Sequence, residues 1–293
     1  MPVAFSLMAA VAVLMLCITG CGASHKQATH KTASAKDPRP TPTASVAWPA
    51  PKLNDPTVID LTSTMPNGLN LNPAKDYVLR LPRDRVLNVP YGFTITGGHN
   101  VVMIGGTLNI ERASGVMTLN DQTGTVHIEG VRFTGPHLLE GFDLSESKGA
   151  TVEFEHVYVD TVHGSQSTNH ADLIQTWAGP RRLLVDGFMG STQYQGFFLL
   201  PNQHYNGPPP QQFDLRNVYI YDQGGYAVWL QSTPKVPIHV ANLYVTPLPS
   251  KTWSGWWLMP KPSGNGFWDG AHAAGSAPEQ VTDLVRPAGV SYQ

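Results

Sequence analysis

Val152-Glu-Phe-Glu-His-Val-Tyr-Val159 alternates apolar with other residues on both sides of one polar position, so it reads as two short strands with a single apolar face, joined by a bend. The pattern recurs at residues 102–110, 126–133, 183–188, 213–220 and 238–245. Aligning Ile104, Ile128, Phe154, Val185, Leu215 and Val240 gives steps of 24, 26, 31, 30 and 25 residues. Gly130, Gly187, Asn217 and Asn242 stand just before the third apolar residue, where positive φ suits a bend.

A second kind of segment lies between the copies: Gly115-Val-Met-Thr-Leu119, Gly141-Phe-Asp-Leu144, Ala171-Asp-Leu-Ile174, Gly196-Phe-Phe-Leu-Leu200, Gly225-Tyr-Ala-Val-Trp-Leu230 and Gly255-Trp-Trp-Leu258. Each unit therefore carries at least two short strands. A unit this small cannot bury its own apolar face, but successive units stacked as turns of a coil enclose a continuous interior. Two-residue hairpin turns, which a Greek-key sandwich would need, are rare. The spacing predicts an all-β, parallel solenoid.

With His99-Asn-Val-Val-Met-Ile-Gly-Gly106 as an early coil, this repeat resembles the single-stranded, right-handed parallel β-helix of the pectate-lyase-like superfamily over residues 60–246. The resemblance implies an extracellular polysaccharide as partner, and the fold hosts lyases, hydrolases, esterases, epimerases and adhesins. Known family motifs narrow little here. The Asn-Thr-Asp, Asp-Asp and Gly-His-Gly of polygalacturonase-like hydrolases are absent, as is the Arg-x-Pro-x-x-Arg of pectate lyases.

The organisation expected around this body has four parts. Residues 1–20 hold an apolar run, Leu7 to Ile18, closing on Ile18-Thr-Gly-Cys21; this looks like a bacterial lipoprotein signal that would make Cys21 the lipidated N-terminus, although no Lys or Arg precedes the run. An exported, membrane-anchored protein is the corresponding expectation. Residues 21–56, rich in Pro, Ser, Thr and Lys, read as a disordered tether. Residues 57–250 form the β-helix, with the first rungs and an N-terminal cap at 60–90. Residues 251–293 form a Trp- and Pro-rich segment, including Trp253, Trp256, Trp257 and Trp268, that caps the last coil or lies along the stack. From Thr57 onward, 14 basic residues meet 19 acidic ones, which argues against nucleic acid as a partner. With Cys17 inside the signal, the mature chain has no internal disulfide. A monomer is expected.

Neighbouring coils stand about 4.8 Å apart, so a site can assemble from residues one repeat apart. The strongest local signal is Thr168-Asn-His-Ala-Asp-Leu-Ile-Gln-Thr-Trp177, where polar chemistry enters a strand. His170 can exchange a proton, Asp172 can orient it, and Gln175 can hold a hydroxyl, although Asp172 and Gln175 have opposite strand parity and need a bulge to meet. Tyr194 falls one coil later as acid or base. Arg181 or Arg182 can neutralise a uronate carboxylate, which favours β-elimination. Trp177, Gln195, Asn202, His204 and Tyr205 complete the candidate substrate contacts. Two further readings stay open: a glycoside hydrolase in which Asp143 and Asp172 face one groove, and a non-catalytic carbohydrate-binding or envelope protein. No cofactor is expected; Asp121, Asp143, Glu146 and Asp172 offer weak support for calcium, and no transition-metal spacing is visible. Buried ladders and solvated arginines are the competing structural roles for all these residues.

Overall fold

The computed structural model describes residues 45–203, 208–231, 235–248, 257–261 and 268–292. The signal segment, Cys21, most of the tether, His204, Tyr205, Trp253 and Trp256 lie outside the described residues.

Among the described residues, twenty strands follow in chain order. The first coils hold β1 (Thr57–Asp60), β2 (Gly68–Leu71), β3 (Tyr77–Arg80), β4 (Leu87–Val89), β5 (Phe93–Gly97), β6 (Val101–Ile104), β7 (Thr107–Ile110), β8 (Ser114–Asn120), β9 (Thr125–Glu129) and β10 (Arg132–Thr134). The later coils hold β11 (Leu138–Ser145), β12 (Thr151–Val162), β13 (Asp172–Ala178), β14 (Arg182–Thr192), β15 (Gln195–Leu199), β16 (Gln212–Asp222), β17 (Val228–Leu230), β18 (Ile238–Thr246), β19 (Leu258–Met259) and β20 (Ala271–Ala273). They wind into about 7 turns of a parallel β-solenoid. One sheet, here the front, runs β2-β5-β8-β11-β13-β15-β17-β19; the back sheet runs β1-β3-β6-β9-β12-β14-β16-β18-β20, with β4, β7 and β10 joining it from the side.

The repeat explains the register. Ile128, Phe154, Val185, Leu215 and Val240 stand level on successive coils of the back sheet, and Phe142, Ile174, Phe197 and Val228 do so on the front. Their side chains fill one interior, threaded by aromatic contacts from Phe142 to Phe154 (4.5 Å between ring centroids) and from Phe188 to Phe197 (5.2 Å). One alignment needs correcting: Met103, not Ile104, pairs with Ile128. Ile104 falls opposite Glu129 on the outer face and is 45% exposed. Met103 holds the core position and Ile104 the next one along the strand, and in a strand one residue changes the face.

The bends fall at the anticipated column. Gly130 (φ 61°), Gly187 (φ 67°), Asn217 (φ 49°) and Asn242 (φ 60°) are left-handed, and His156 (φ 55°) joins them. From β12 onward the two half-strands run through this bend as one long strand, whereas β6 and β7, or β9 and β10, remain separate. A Cβ at Gly187 would come within 2.9 Å of the His156 ring, so the coil after the histidine needs a glycine.

The described part of the C-terminal segment has two parts. Trp257, Leu258 and Trp268 join the core at the last coil, while a helix, α1 (Glu279–Val285), lies along the outside of the back sheet. Val281, Val285 and Ala288 cover Tyr158, Met189, Tyr219 and Tyr244 there. The end of the stretch read as tether is also placed: the backbone N–H groups of Ala47 and Trp48 donate to Glu155 (3.3 and 2.6 Å), the Arg216 guanidinium lies 5.0 Å from the centre of the Trp48 ring, and Asn54 N–H donates to Asp76 (2.7 Å). Composition alone conceals this docking, because one tryptophan and exposed N–H groups are enough to secure a polar segment to a charged sheet.

Candidate functional site

On the outer face of the front sheet, Thr94, Thr118, Asp143, Gln175, Phe198 and Trp229 stand level on successive coils. Strand alternation puts them there, since their neighbours Phe93, Ile95, Met117, Leu119, Phe142 and Leu144 turn into the core. An open recess of about 280 Å³ lies over the first three coils of this column, and Glu140 and Asp143 line it. Strict alternation would send Glu140 inward with Phe142. Glu140 instead lines the recess, just after a register irregularity between Leu138 and Glu140, so alternation in Leu-Glu-Gly-Phe-Asp143 hides the residue from sequence reasoning.

Three carboxyl groups converge here. Burial pushes Glu140 up to about 8, reinforced by the charge of Asp143 and a hydrogen bond to it. Asp143 is raised by burial too, moderated by its bonds to Glu140 and to the Trp177 indole N–H, 3.4 Å away. Beside them, at the head of β13, Asp172 is 0% exposed, and neither of its carboxyl oxygens has a hydrogen-bond partner among the described residues. Burial, then the charges of Glu140 and Asp143, push it up to about 8.

The expected pairing of Asp172 with His170 is not made. His170 is exposed, and its ring packs against Tyr194 with centroids 5.0 Å apart. Burial and the charge of Asp172 raise the Tyr194 phenol, the opposite of what a tyrosine base requires. Gln195 pairs with Asp172 in the register and is buried, and Gln175 is buried beside Asp143. Trp177, which donates to Asp143, belongs to the carboxyl cluster.

Arg181 and Arg182 sit elsewhere. They follow the far end of β13, whose seven residues put roughly 20 Å between them and Asp172. Arg182 donates to Gln212 (3.1 Å), and Arg181 is exposed. Asn202 lies beyond the end of β15, its N–H bonded to Gln231 (3.2 Å). The four carboxyls considered for calcium do not converge. Asp121 accepts from Ser147, while Glu146 is buried, accepts the Gln122 N–H at 2.8 Å, and is pushed up to about 8 by burial. Among the described residues, no three acidic, His or Cys groups are placed to share one metal ion.

A second polar network occupies the back sheet. His127 bridges Glu153 (2.8 Å) and Glu129 (3.0 Å); burial opposes its charge, but the two carboxylates prevail and hold it up at about 9. Tyr292 donates to Glu129, and the N-terminal segment covers Glu155. This network is sealed by the chain's own ends, so it clamps rather than receives.

Fold and recess together define an all-β parallel solenoid with a carboxyl-lined depression on its front sheet. Comparison with protein-family models, with curated proteins and with solved structures finds no match, so that class rests on the coil geometry itself.

Proposed function

We propose that the protein hydrolyses a polysaccharide in the front-sheet recess. The observation that supports this is the Glu140–Asp143 pair, two carboxyls lining one depression open to solvent, both raised by burial, with Asp172 buried and unpartnered near them. Glu140, protonated at neutral pH, donates to the glycosidic oxygen as the C–O bond breaks. Asp143 takes a proton from the water that forms the new C–O bond at the anomeric carbon. This single displacement requires the two carboxyls to stand about 6.5–9.5 Å apart in the complex, so that sugar and water fit between them, and proton exchange with solvent then resets the pair. Trp177 holds Asp143, and burial together with the charge of Asp143 keeps the Glu140 proton in place at neutral pH.

Hydrolysis is preferred over β-elimination because elimination from a uronate needs a cation at its carboxylate, and Arg181 and Arg182 stand at the other end of β13. Export and lipid anchoring through Cys21 belong to the same proposal and would place the recess outside the cell. The test is incubation with a panel of glycans while following both new reducing ends and unsaturated sugars. Reducing ends without unsaturated product, lost in Glu140→Gln, support hydrolysis. Unsaturated product restores the elimination reading, and binding without cleavage leaves a carbohydrate-binding protein.

A further inference from the structure

We propose that the recess recognises a glycan carrying free amino groups, whose ammonium sits against Glu140 and Asp143. The substrate class rests on the hydrolytic reading of the same recess; the binding does not.

The electrostatics point one way. Glu140, Asp143 and Asp172 lie within mutual electrostatic reach, and no ion pair to any of them is formed among the described residues. The rest of the lining is neutral, with Asn67, Thr94, Ser114 and Thr118 offering polar groups and no Lys or Arg. Arg112 reaches the lining residue Tyr91, donating to its hydroxyl at 3.1 Å with the guanidinium over the ring, and is engaged there. A polyanionic uronate finds no Lys or Arg in this lining to neutralise it.

Asp172 supplies a separate observation. A carboxyl with no exposure and no partner for either oxygen is costly, and a fold keeps such a group where a ligand or function offsets the cost. The charged groups that act on it are the two carboxyls that line the recess. A single divalent ion is a poor fit, because no three such groups are close enough to ligate one metal. An ammonium on a sugar is larger in reach and carries three donors that two carboxylates and a threonine can accept. Because these carboxyls hold protons near neutral pH, an arriving cation ionises them, and binding releases protons to the buffer.

The experiment is calorimetric titration of the full chain near neutral pH with chitosan oligosaccharides, their N-acetylated counterparts, oligogalacturonates, and calcium chloride alone. Each is run in two buffers of different ionisation enthalpy. The expected result is binding of the amine-bearing oligomers about tenfold or more tighter than the acetylated ones, with proton release, and a loss of about tenfold in each of Glu140→Gln and Asp143→Asn. Equal or tighter binding of acetylated or uronate oligomers, saturation by calcium that removes the preference, or no binding of the amine-bearing oligomers would each overturn the proposal. The wild-type preference does not depend on any variant folding. Cleavage of a neutral glycan with no amine preference would sink this inference and leave the hydrolase reading standing; amine-dependent binding without cleavage of any glycan would do the reverse.

Discussion

Glu140 and Asp143 of β11 line one recess on the front sheet, where burial and the charge of Asp143 push Glu140 up to about 8. Two like groups held this closely destabilise the fold when both ionise. Glu140→Gln is therefore expected to raise the denaturant midpoint, by about 1 kcal/mol in stability, while lowering glycan hydrolysis by about 10²-fold or more. Urea titration and reducing-end assays on the same preparation check both signs.

Hydrolysis should also fall as pH rises through about 8, because Glu140 then gives up the proton that it donates. A pH–rate profile measured on saturating substrate would show this limb. A rate that climbs steadily through that region would contradict the assignment of the acid.

Stability has its own pH dependence. Glu146 is raised from 4.5 to about 8 by burial, so the folded state holds a proton that the unfolded chain releases. The stabilisation is complete below about 4.5 and is lost as pH rises towards 8. His127, raised from 6.5 to about 9 by Glu129 and Glu153, adds a loss of the same sign between those values. Thermal melts should therefore drop between mildly acidic and alkaline pH, and Glu146→Gln should flatten the lower part of that slope. A melting temperature that rises with pH would contradict both assignments.

Asn242 donates to Asn217 (3.0 Å), which donates to Asp186 (2.6 Å), along the column of left-handed bends. Asn217→Ala should cost about 2 kcal/mol, combining an unfavourable positive φ with the lost hydrogen bonds. Asn217→Gly should cost less, since it keeps the backbone freedom. Chemical denaturation of the two variants separates these contributions.

Trp48 is the expected key to the docking of the N-terminal segment, through its contact with Arg216 and its N–H bond to Glu155. Trp48→Ala should speed hydrogen exchange and proteolysis around residues 45–56 by several-fold, about the worth of 1 kcal/mol, and leave protection in β12 and β14 unchanged. Mass spectrometry of timed digests reads both regions.

The coil, its period and the bend positions at Gly130, Gly187, Asn217 and Asn242 were legible in the amino-acid sequence, because a solenoid repeats one local rule at every turn. Alternation decides which face is buried, and a residue tolerant of positive φ decides where the strand bends. Each is a property of a few consecutive residues. The site was only half legible. Asp172, Asp143 and Trp177 were in view, but His170 was assigned to the wrong partner and Glu140 was missed. Glu140 follows an irregular register in β11 and lines the recess instead of the core, and Ile104 faces out because Met103 takes the core position. The convergence of Glu140, Asp143 and Asp172, and the folding of both chain ends onto the back sheet, depend on how coils more than twenty residues apart stack. Local pattern determined the architecture of this protein; only the tertiary structure decided which charges meet, because charge acts through space between rungs and not along the chain.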